Sequence, residues 1–122
     1  MNKCKFCNLD YTKKYNTIIE ETNNFIITPS LGALVDGYIL IISKKHYNNM
    51  AELNKEEKKE YLKLINKYRG IFIKIYNKYP IIFEHGDIKN KINNSCIVHA
   101  HTHIVNINFK DETNVINELK FN

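Results

Sequence analysis

The stretch Val98-His99-Ala100-His101-Thr102-His103-Ile104-Val105 determines how the rest of the chain is interpreted. Its flanking β-branched residues predict a strand, which we extend from Ile97 to Ile107. Side chains alternate between faces along a strand, so the three histidines share one face. Each buried imidazole would need polar partners for its ring nitrogens, which argues against an ordinary core. The stretch therefore predicts a functional site. Two alternatives stay open, namely a metal held by the three histidines alone and a chance histidine-rich strand at the surface.

Imidazole is well suited to attack on a phosphate. It is largely neutral near pH 7 and needs no prior deprotonation. Its adduct with phosphorus is a phosphoramidate that water opens readily, so one difficult displacement becomes two easier steps. Neighbouring hydrogen-bond donors must stabilise the charge that builds on the phosphoryl oxygens.

Short apolar runs on both sides of a long helix predict the rest of the sheet. The run Tyr38-Ile39-Leu40-Ile41-Ile42 is apolar on both faces, which indicates a central strand covered on both sides. The other predicted strands are Ile18-Ile19, Phe25-Ile26-Ile27 and Ile81-Ile82-Phe83-Glu84. Together these elements predict an α+β domain, a mostly antiparallel sheet with one long helix.

The long helix is predicted between Asn54 and Pro80. Asn54 followed three residues later by Glu57 is typical of a helix start. Pro80 ends the helix because the residue before a proline is pushed out of the helical conformation. Apolar residues recur every three or four positions and form one stripe. The stripe comprises Tyr61, Ile65, Tyr68, Phe72, Ile75 or Tyr76, and Tyr79. A loop over Lys89–Asn94 and a weakly helical segment over Glu112–Phe121 complete the prediction.

The length and composition indicate one ordinary globular domain over residues 1–122. Apolar residues make up 43% and charged residues 25%, which excludes a disordered chain. No apolar run approaches the roughly 20 residues of a membrane helix, and the N-terminus lacks the apolar region of a signal peptide. We therefore expect a cytoplasmic protein. The segment Lys55–Lys78 carries the whole net charge of +5, which we interpret as the solvated face of the helix rather than a nucleic-acid-binding surface.

Three cysteines make a disulfide framework unattractive in a chain without a signal peptide. Cys4 and Cys7 form a C-x-x-C pair, which indicates a metal or a redox partner. A thioredoxin-like role requires a following helix in a βαβ unit, and the sequence predicts none there. An empty, reduced dithiol is the plainer alternative.

The chain resembles the histidine triad (HIT) superfamily, and three motifs carry the resemblance. His99-Ala100-His101-Thr102-His103-Ile104-Val105 is similar to the family's His-x-His-x-His strand. Gly37-Tyr38-Ile39-Leu40-Ile41-Ile42-Ser43-Lys44-Lys45-His46 resembles its strand followed by a basic loop that ends in histidine. Cys4-Lys5-Phe6-Cys7 resembles the N-terminal C-x-F-C of the zinc-containing branch. The motifs stand in the family's order over residues 4–109, so the resemblance implies the HIT-like fold with a short N-terminal zinc-binding segment.

The resemblance implies a separate role for each histidine of the triad. His101 would be the nucleophile and would form a nucleotidyl-histidine intermediate at the α-phosphate, which His103 would help to position. His99 would be a metal ligand, as the first triad histidine is in the zinc-containing branch and in the related galactose-phosphate uridylyltransferases. The implied ligands of one structural zinc per chain are Cys4, Cys7, His46 and His99. Two thiolates and two imidazoles agree with a closed tetrahedral zinc site.

The resemblance also implies nucleotide-binding residues around the triad. The loop Thr28–Gly37 stands where the family places its base and ribose pocket. The candidate nucleotide-binding residues are Ile26, Thr28, Leu31, Leu34, Glu84, Ser95 and Cys96. The apolar ones among them are equally compatible with an ordinary core. Glu84 is expected to face the site where the family more usually has a neutral amide, and Ser95 or Cys96 stands at the place of its phosphate donor.

The implied function is a nucleotide hydrolase or nucleotidyl transferase acting on a phosphoramidate, a dinucleoside polyphosphate or a similar substrate. A nucleotide-binding or signalling module with weak or lost catalysis is the alternative, because the phosphate-donor positions are altered. A plain zinc-binding domain is a third hypothesis. The family commonly dimerises, so we expect a homodimer with the long helix at or near the interface. The tyrosines that fit either this interface or the core are Tyr61, Tyr68, Tyr76 and Tyr79. No membrane and no specific nucleic-acid partner is expected.

Overall fold

A computed structural model of the chain describes residues 4, 6–7, 17–29, 37–84 and 99–106. Within these residues the strands are β1 (Glu20–Glu21), β2 (Phe25–Pro29), β3 (Tyr38–Ser43), β4 (Ile81–Glu84) and β5 (His101–Val105). A short 3₁₀ turn (Met50–Glu52) precedes the long helix α1 (Lys55–Tyr76). The architecture is the predicted α+β arrangement. No helix in the described ranges is both long and apolar enough to cross a membrane.

The strands form one antiparallel sheet in the order β1-β2-β3-β5-β4. The predicted central position of β3 is confirmed, because it pairs with β2 on one side and with β5 on the other. Residues Ile39 to Ser43 of this strand are buried on both faces of the sheet. Its apolar run is therefore explained by cover from both sides.

The starts of two strands differ from the sequence prediction. The pairing of the first strand with β2 places Glu20 opposite Ile27 and Glu21 opposite Ile26. The strand therefore begins at Glu20 rather than at Ile18. The triad strand β5 begins at His101, and His99 lies in a bend just before it. The predicted loop Lys89–Asn94 and the predicted helical segment Glu112–Phe121 lie outside the described residues.

Helix α1 begins where the sequence predicts and ends earlier. The Asn54 side chain accepts a hydrogen bond from the Glu57 N–H (2.8 Å), and the Glu57 carboxylate accepts one from the Asn54 N–H (2.9 Å). This reciprocal pair is a complete capping box. The helix ends at Tyr76, ahead of Pro80, because Asn77 adopts a left-handed conformation with φ of 59°. Asparagine tolerates that conformation better than most residues.

The apolar stripe of α1 packs on one face of the sheet, which we call the helix face. Leu64, Ile65, Tyr68 and Phe72 are buried there. Tyr61 and Tyr76 are partly buried against the same core, whereas Ile75 is 65% exposed. The stripe therefore continues through Tyr76 rather than Ile75. The sheet contributes Phe25, Ile27, Ile39, Ile41 and Ile104 to this core.

The opposite face, which we call the triad face, carries His101 and His103. Directly paired residues of an antiparallel sheet point to the same face. Ile42 pairs with His101, Leu40 with His103, and Phe83 with His103 from the other side. The remaining triad-face residues follow from the same register and include Ile26 and Thr28 of β2.

Candidate functional site

Four side chains that could bind a metal, from three separate segments, converge where β3 ends and β5 begins. Their ligating atoms all lie within 4.8 Å of one another. The His99 Nδ1 atom lies 3.2 Å from Cys4 Sγ, 3.3 Å from Cys7 Sγ and 3.2 Å from His46 Nδ1. The four residues, which are the set named from the sequence, are Cys4, Cys7, His46 and His99. They lie close enough to bind a metal ion.

Backbone contacts hold His99 in a form that suits a metal ligand. Its Nε2 lies 2.6 Å from the carbonyl oxygen of Ser43, which can only accept a hydrogen bond. The ring proton is therefore on Nε2, and Nδ1 keeps its lone pair toward the two sulfur atoms. Burial lowers the pKa of His99, against the opposing effect of the Ser43 hydrogen bond, and so favours the neutral ligand form.

The loop that carries His46 is fastened to two neighbouring elements. The carbonyl of Tyr47 accepts a hydrogen bond from the Ala100 N–H at 2.7 Å. The Tyr47 hydroxyl donates to the buried carboxylate of Glu57 at 2.8 Å, in the first turn of α1. Glu57, the partner of Asn54 in the capping box, therefore also positions the segment that follows β3.

His101 is buried and its ring is oriented by the backbone. Its Nδ1 lies 2.7 Å from the carbonyl oxygen of His99, so Nδ1 carries a proton, and in the neutral ring Nε2 carries the lone pair. The Phe6 ring meets the His101 ring edge to face, with centroids 4.9 Å apart. Because Phe6 lies between Cys4 and Cys7, the metal-ligating segment also covers this imidazole.

His103 lies beside His101 and is held by two aromatic residues. The centroids of the two imidazoles are 4.9 Å apart. Phe83 stacks flat on His103, with a centroid distance of 4.5 Å and an interplanar angle of 6°. The Tyr38 hydroxyl oxygen lies 2.7 Å from His103 Nδ1. Burial raises the pKa of Tyr38, so this hydroxyl keeps its proton near neutral pH.

The predicted nucleotide-binding residues fall into three groups. Ile26 and Thr28 lie on the triad face, two strands from His101 and His103. Four others lie outside the described residues, namely Leu31, Leu34, Ser95 and Cys96. The seventh, Glu84, lies on the helix face of the sheet rather than on the triad face.

The position of Glu84 corrects the expectation that it faces the triad. Glu84 pairs with Thr102, whose hydroxyl lies 2.7 Å from the Tyr61 hydroxyl on the helix face. Its carboxylate accepts a hydrogen bond from the Met50 N–H at 2.7 Å. Glu84 therefore stabilises the 3₁₀ turn before α1, and its neighbour Phe83 lies on the triad face instead.

Among the residues that the structure describes, sequence reasoning missed three whose side chains contact the triad rings, namely Phe6, Tyr38 and Phe83. Tyr38 and Phe83 were included only as strand residues. Strand alternation does place Tyr38 on the same face as Leu40 and Ile42. It does not relate that face to His103, because the register between strands is needed for that.

Comparisons with known proteins agree with this geometry. Residues 1–121 match the family model described as proteins similar to the C-terminal region of CwfJ, which is a HIT-like family. The chain belongs to the histidine triad superfamily. Its candidate metal site agrees with the C-x-x-C branch of that superfamily. No curated protein is similar enough in sequence to count as a match.

Solved HIT structures share the fold of this chain at low sequence identity. A HIT family member from Bacillus subtilis superposes with a TM-score of 0.69 at 15% identity, covering 98% of this chain and 96% of that one. A HIT family hydrolase from Clostridium thermocellum gives 0.65 at 18% identity, covering 89% and 94%. A histidine triad protein from Clostridium difficile gives 0.62 at 19% identity, covering 86% and 92%. The α+β fold is therefore HIT-like.

Proposed function

We propose that this HIT protein is a nucleotide hydrolase or nucleotidyl transferase that acts at an α-phosphate through a nucleotidyl-His101 intermediate. One observation carries the proposal. The hydrogen bond from His101 Nδ1 to the His99 carbonyl leaves the basic lone pair on Nε2, on a buried ring that needs no deprotonation before it attacks.

The reaction divides into two displacements. His101 Nε2 forms a bond to the α-phosphorus, and the bond to the leaving group breaks with its electron pair on that group, which takes up a proton. His103, whose ring is adjacent, positions and neutralises the phosphoryl oxygens. Water then forms the new phosphorus–oxygen bond, the electron pair of the nitrogen–phosphorus bond returns to Nε2, and one water proton is released. Another nucleophile in place of water would make the reaction a transfer.

We propose that the four-residue cluster holds one structural zinc ion. Tetrahedral zinc with ordinary bond lengths places its nitrogen and sulfur ligands roughly 3.3–3.8 Å apart. The separations of 3.2–3.3 Å between the His99 Nδ1 atom and the other ligating atoms are compatible with that geometry. Zinc would supply a cross-link between the N-terminal segment, the loop after β3 and the start of β5. A site built on two thiolates also fits a cytoplasmic location, where cysteines stay reduced.

A panel of three substrates tests the proposed activity. The purified protein would be incubated with an adenosine phosphoramidate, a dinucleoside polyphosphate and a nucleotide sugar, each with His101→Ala as the control. Turnover of any of the three, together with a nucleotidyl adduct on His101 by mass spectrometry, is expected. Tight nucleotide binding without turnover would instead support the alternative binding or signalling module, and neither binding nor turnover would leave only a zinc-binding domain.

A further inference from the structure

The Tyr38 hydroxyl contacts His103 on the triad face, and the proposed reaction assigns it no role. Its oxygen lies 2.7 Å from His103 Nδ1, and its ring meets the His103 ring at a centroid distance of 5.7 Å. Tyr38 is the first residue of β3, and Leu40 of the same strand pairs directly with His103. The contact is therefore fixed by the register of the two central strands.

A protonated hydroxyl beside Nδ1 can donate the hydrogen bond that this ring nitrogen accepts. When the hydroxyl donates to Nδ1 of a neutral imidazole, the ring proton must lie on Nε2. When the imidazole is charged, the hydroxyl oxygen accepts from Nδ1–H and Nε2 still carries a proton. In both of these states His103 presents an N–H at Nε2, whereas a neutral ring that donated from Nδ1 to the Tyr38 oxygen would carry a lone pair there. The flat stack of Phe83 opposes rotation of the ring out of this orientation.

When the Tyr38 hydroxyl is the donor, the two adjacent histidines have opposite polarity at Nε2. His101 donates from Nδ1 to a carbonyl oxygen, which places a lone pair on its Nε2. His103 faces a hydroxyl at Nδ1, which permits a proton on its Nε2. A lone pair next to a donor is the arrangement that attack on a phosphoryl group needs, because the phosphorus is electron-poor while its oxygens are negative.

We propose that Tyr38 is a positioning residue that holds His103 with its proton on Nε2, so that His103 donates a hydrogen bond to a phosphoryl oxygen. The inference rests on the proposed nucleotidyl chemistry for its catalytic meaning, but the position of the proton is measurable without any substrate. Removal of the hydroxyl would let His103 take its proton on Nδ1, and the resulting Nε2 lone pair would repel the phosphoryl oxygen.

The chain provides a matched control in Tyr61. Its hydroxyl also lies 2.7 Å from a side chain of β5, that of Thr102, but on the helix face of the sheet. Both tyrosines are partly buried, and their hydroxyls contact neighbouring residues of one strand. Tyr38→Phe and Tyr61→Phe each remove a single hydroxyl, so a purely structural role would give both variants similar effects on stability and on turnover.

The first measurement is nitrogen-15 NMR of the imidazoles in the full chain, with His103→Asn used to assign the His103 signals. We expect the wild type and Tyr61→Phe to show His103 protonated on Nε2, and Tyr38→Phe to show a mixture of the two tautomers. A wild-type His103 protonated on Nδ1 alone, or signals unchanged in Tyr38→Phe, would overturn the proposal.

The second measurement is turnover, for any substrate that the panel identifies. Tyr38→Phe is expected to lower kcat roughly tenfold, with a smaller change in KM, and Tyr61→Phe to leave kcat within about twofold of the wild type. In a His103→Asn background, Tyr38→Phe should cause no further loss, because Tyr38 acts through His103. Equal losses in both backgrounds would overturn the proposal. If the wild type turns over no substrate, the proposed function fails while the NMR result still decides the role of Tyr38.

Discussion

At the scale of single residues, His99 contributes two different groups to the site. Its ring nitrogen Nδ1 faces the two cysteine sulfur atoms, whereas its backbone carbonyl accepts the proton of His101 Nδ1. Only the first group depends on the His99 side chain. The candidate metal site and the candidate nucleophile are therefore adjacent, but mutations can separate their functions.

His101→Ala should abolish turnover and leave the metal and the fold intact. The variant removes the attacking nitrogen and touches none of the four metal-ligating residues. Loss of a covalent nucleophile should lower kcat at least about 1,000-fold. His103→Ala should lower it by roughly 10- to 100-fold, because His103 stabilises charge without forming a bond to phosphorus. Steady-state kinetics and metal analysis of both variants check this, and a wild-type rate in His101→Ala would refute the mechanism.

His99→Ala should have the opposite profile. We expect the bound metal to be lost and the melting temperature to fall, because a ligand that is 2% exposed and fixed by the Ser43 carbonyl disappears. Elemental analysis and thermal unfolding measure both quantities, and His85→Ala serves as a control histidine outside the proposed ligand set. Retention of one equivalent of metal by His99→Ala would show that the ligand set is wrong.

The sequence located the histidines and cysteines of the site but not all of their neighbours. Cys4, Cys7, His46 and His99 could be named because the motifs that carry them resemble those of the zinc-containing branch of the HIT superfamily. Glu84 was assigned to the wrong face, since a strand pattern says which residues share a face and not which face meets the triad. That information lies in the register of β4 with β5, in which Glu84 opposes Thr102.

At the scale of elements, the capping box of α1 determines more than the start of a helix. The Glu57 carboxylate accepts hydrogen bonds from the Asn54 N–H and from the Tyr47 hydroxyl, and it is almost completely buried. The first turn of α1 is thereby joined to the residue that follows His46. A substitution in this capping box should therefore affect the candidate metal site as well as the helix.

Asn54→Ala should destabilise the folded state by about 1 kcal/mol, because it removes the side-chain acceptor of the Glu57 N–H. Asn66→Ala is the matched control, since Asn66 is an exposed residue in the middle of the same helix, where alanine is favourable. Urea unfolding of both variants gives the two free energies. Equal stability of Asn54→Ala and Asn66→Ala would mean that the cap contributes nothing.

Element types were predictable where one local signal dominates, and boundaries were not. The apolar run of β3 and the Asn54–Glu57 pair each identify their element from neighbouring residues alone. The end of α1 at Tyr76 depends on one left-handed residue, Asn77, for which the nearby Pro80 was a competing signal. The start of β1 depends on its pairing with β2, which local sequence does not encode.

At the scale of the whole molecule, the candidate metal site brings together parts of the chain that are distant in sequence. Cys4 and His99 are 95 residues apart, and Cys7 and His46 are 39 apart. A metal bound at this site would cross-link these parts and stabilise a small domain, because metal binding requires the folded arrangement. Phe6, which lies between Cys4 and Cys7, contacts the rings of His99 and His101.

Protein purified without chelator should contain one zinc per chain. Removal of the metal should lower the melting temperature by roughly 10 °C or more, because a ligand present far above its dissociation constant adds several kcal/mol to stability. Elemental analysis, followed by thermal unfolding with and without a chelator, measures both. Cys4→Ser with Cys7→Ser should reproduce the effect of the chelator. Zinc that remains bound in this double variant would place the site elsewhere, for example on His101 and His103.

Three of the four tyrosines that could lie at a homodimer interface pack against the core of the single chain. Tyr68 is buried and Tyr61 and Tyr76 are partly buried, so they offer little surface to a partner. The apolar side chains that are exposed near the C-terminal end of the helix are Ile75 at 65% and the fourth tyrosine, Tyr79, at 74%. We propose that these residues lie at or near the interface, because burial against a second copy would remove their apolar surface from water.

Light scattering of the wild type should therefore give about twice the chain mass of 14.4 kDa at micromolar concentration. Ile75→Lys should shift the mass toward that of the single chain, since a charge in an apolar contact disfavours association. Asn66→Lys, an exposed change on the same helix, is the control and should leave the dimer intact. A monomeric wild type would refute the dimer. If Ile75→Lys remains a dimer, the predicted oligomeric state holds but the interface does not lie at this end of α1.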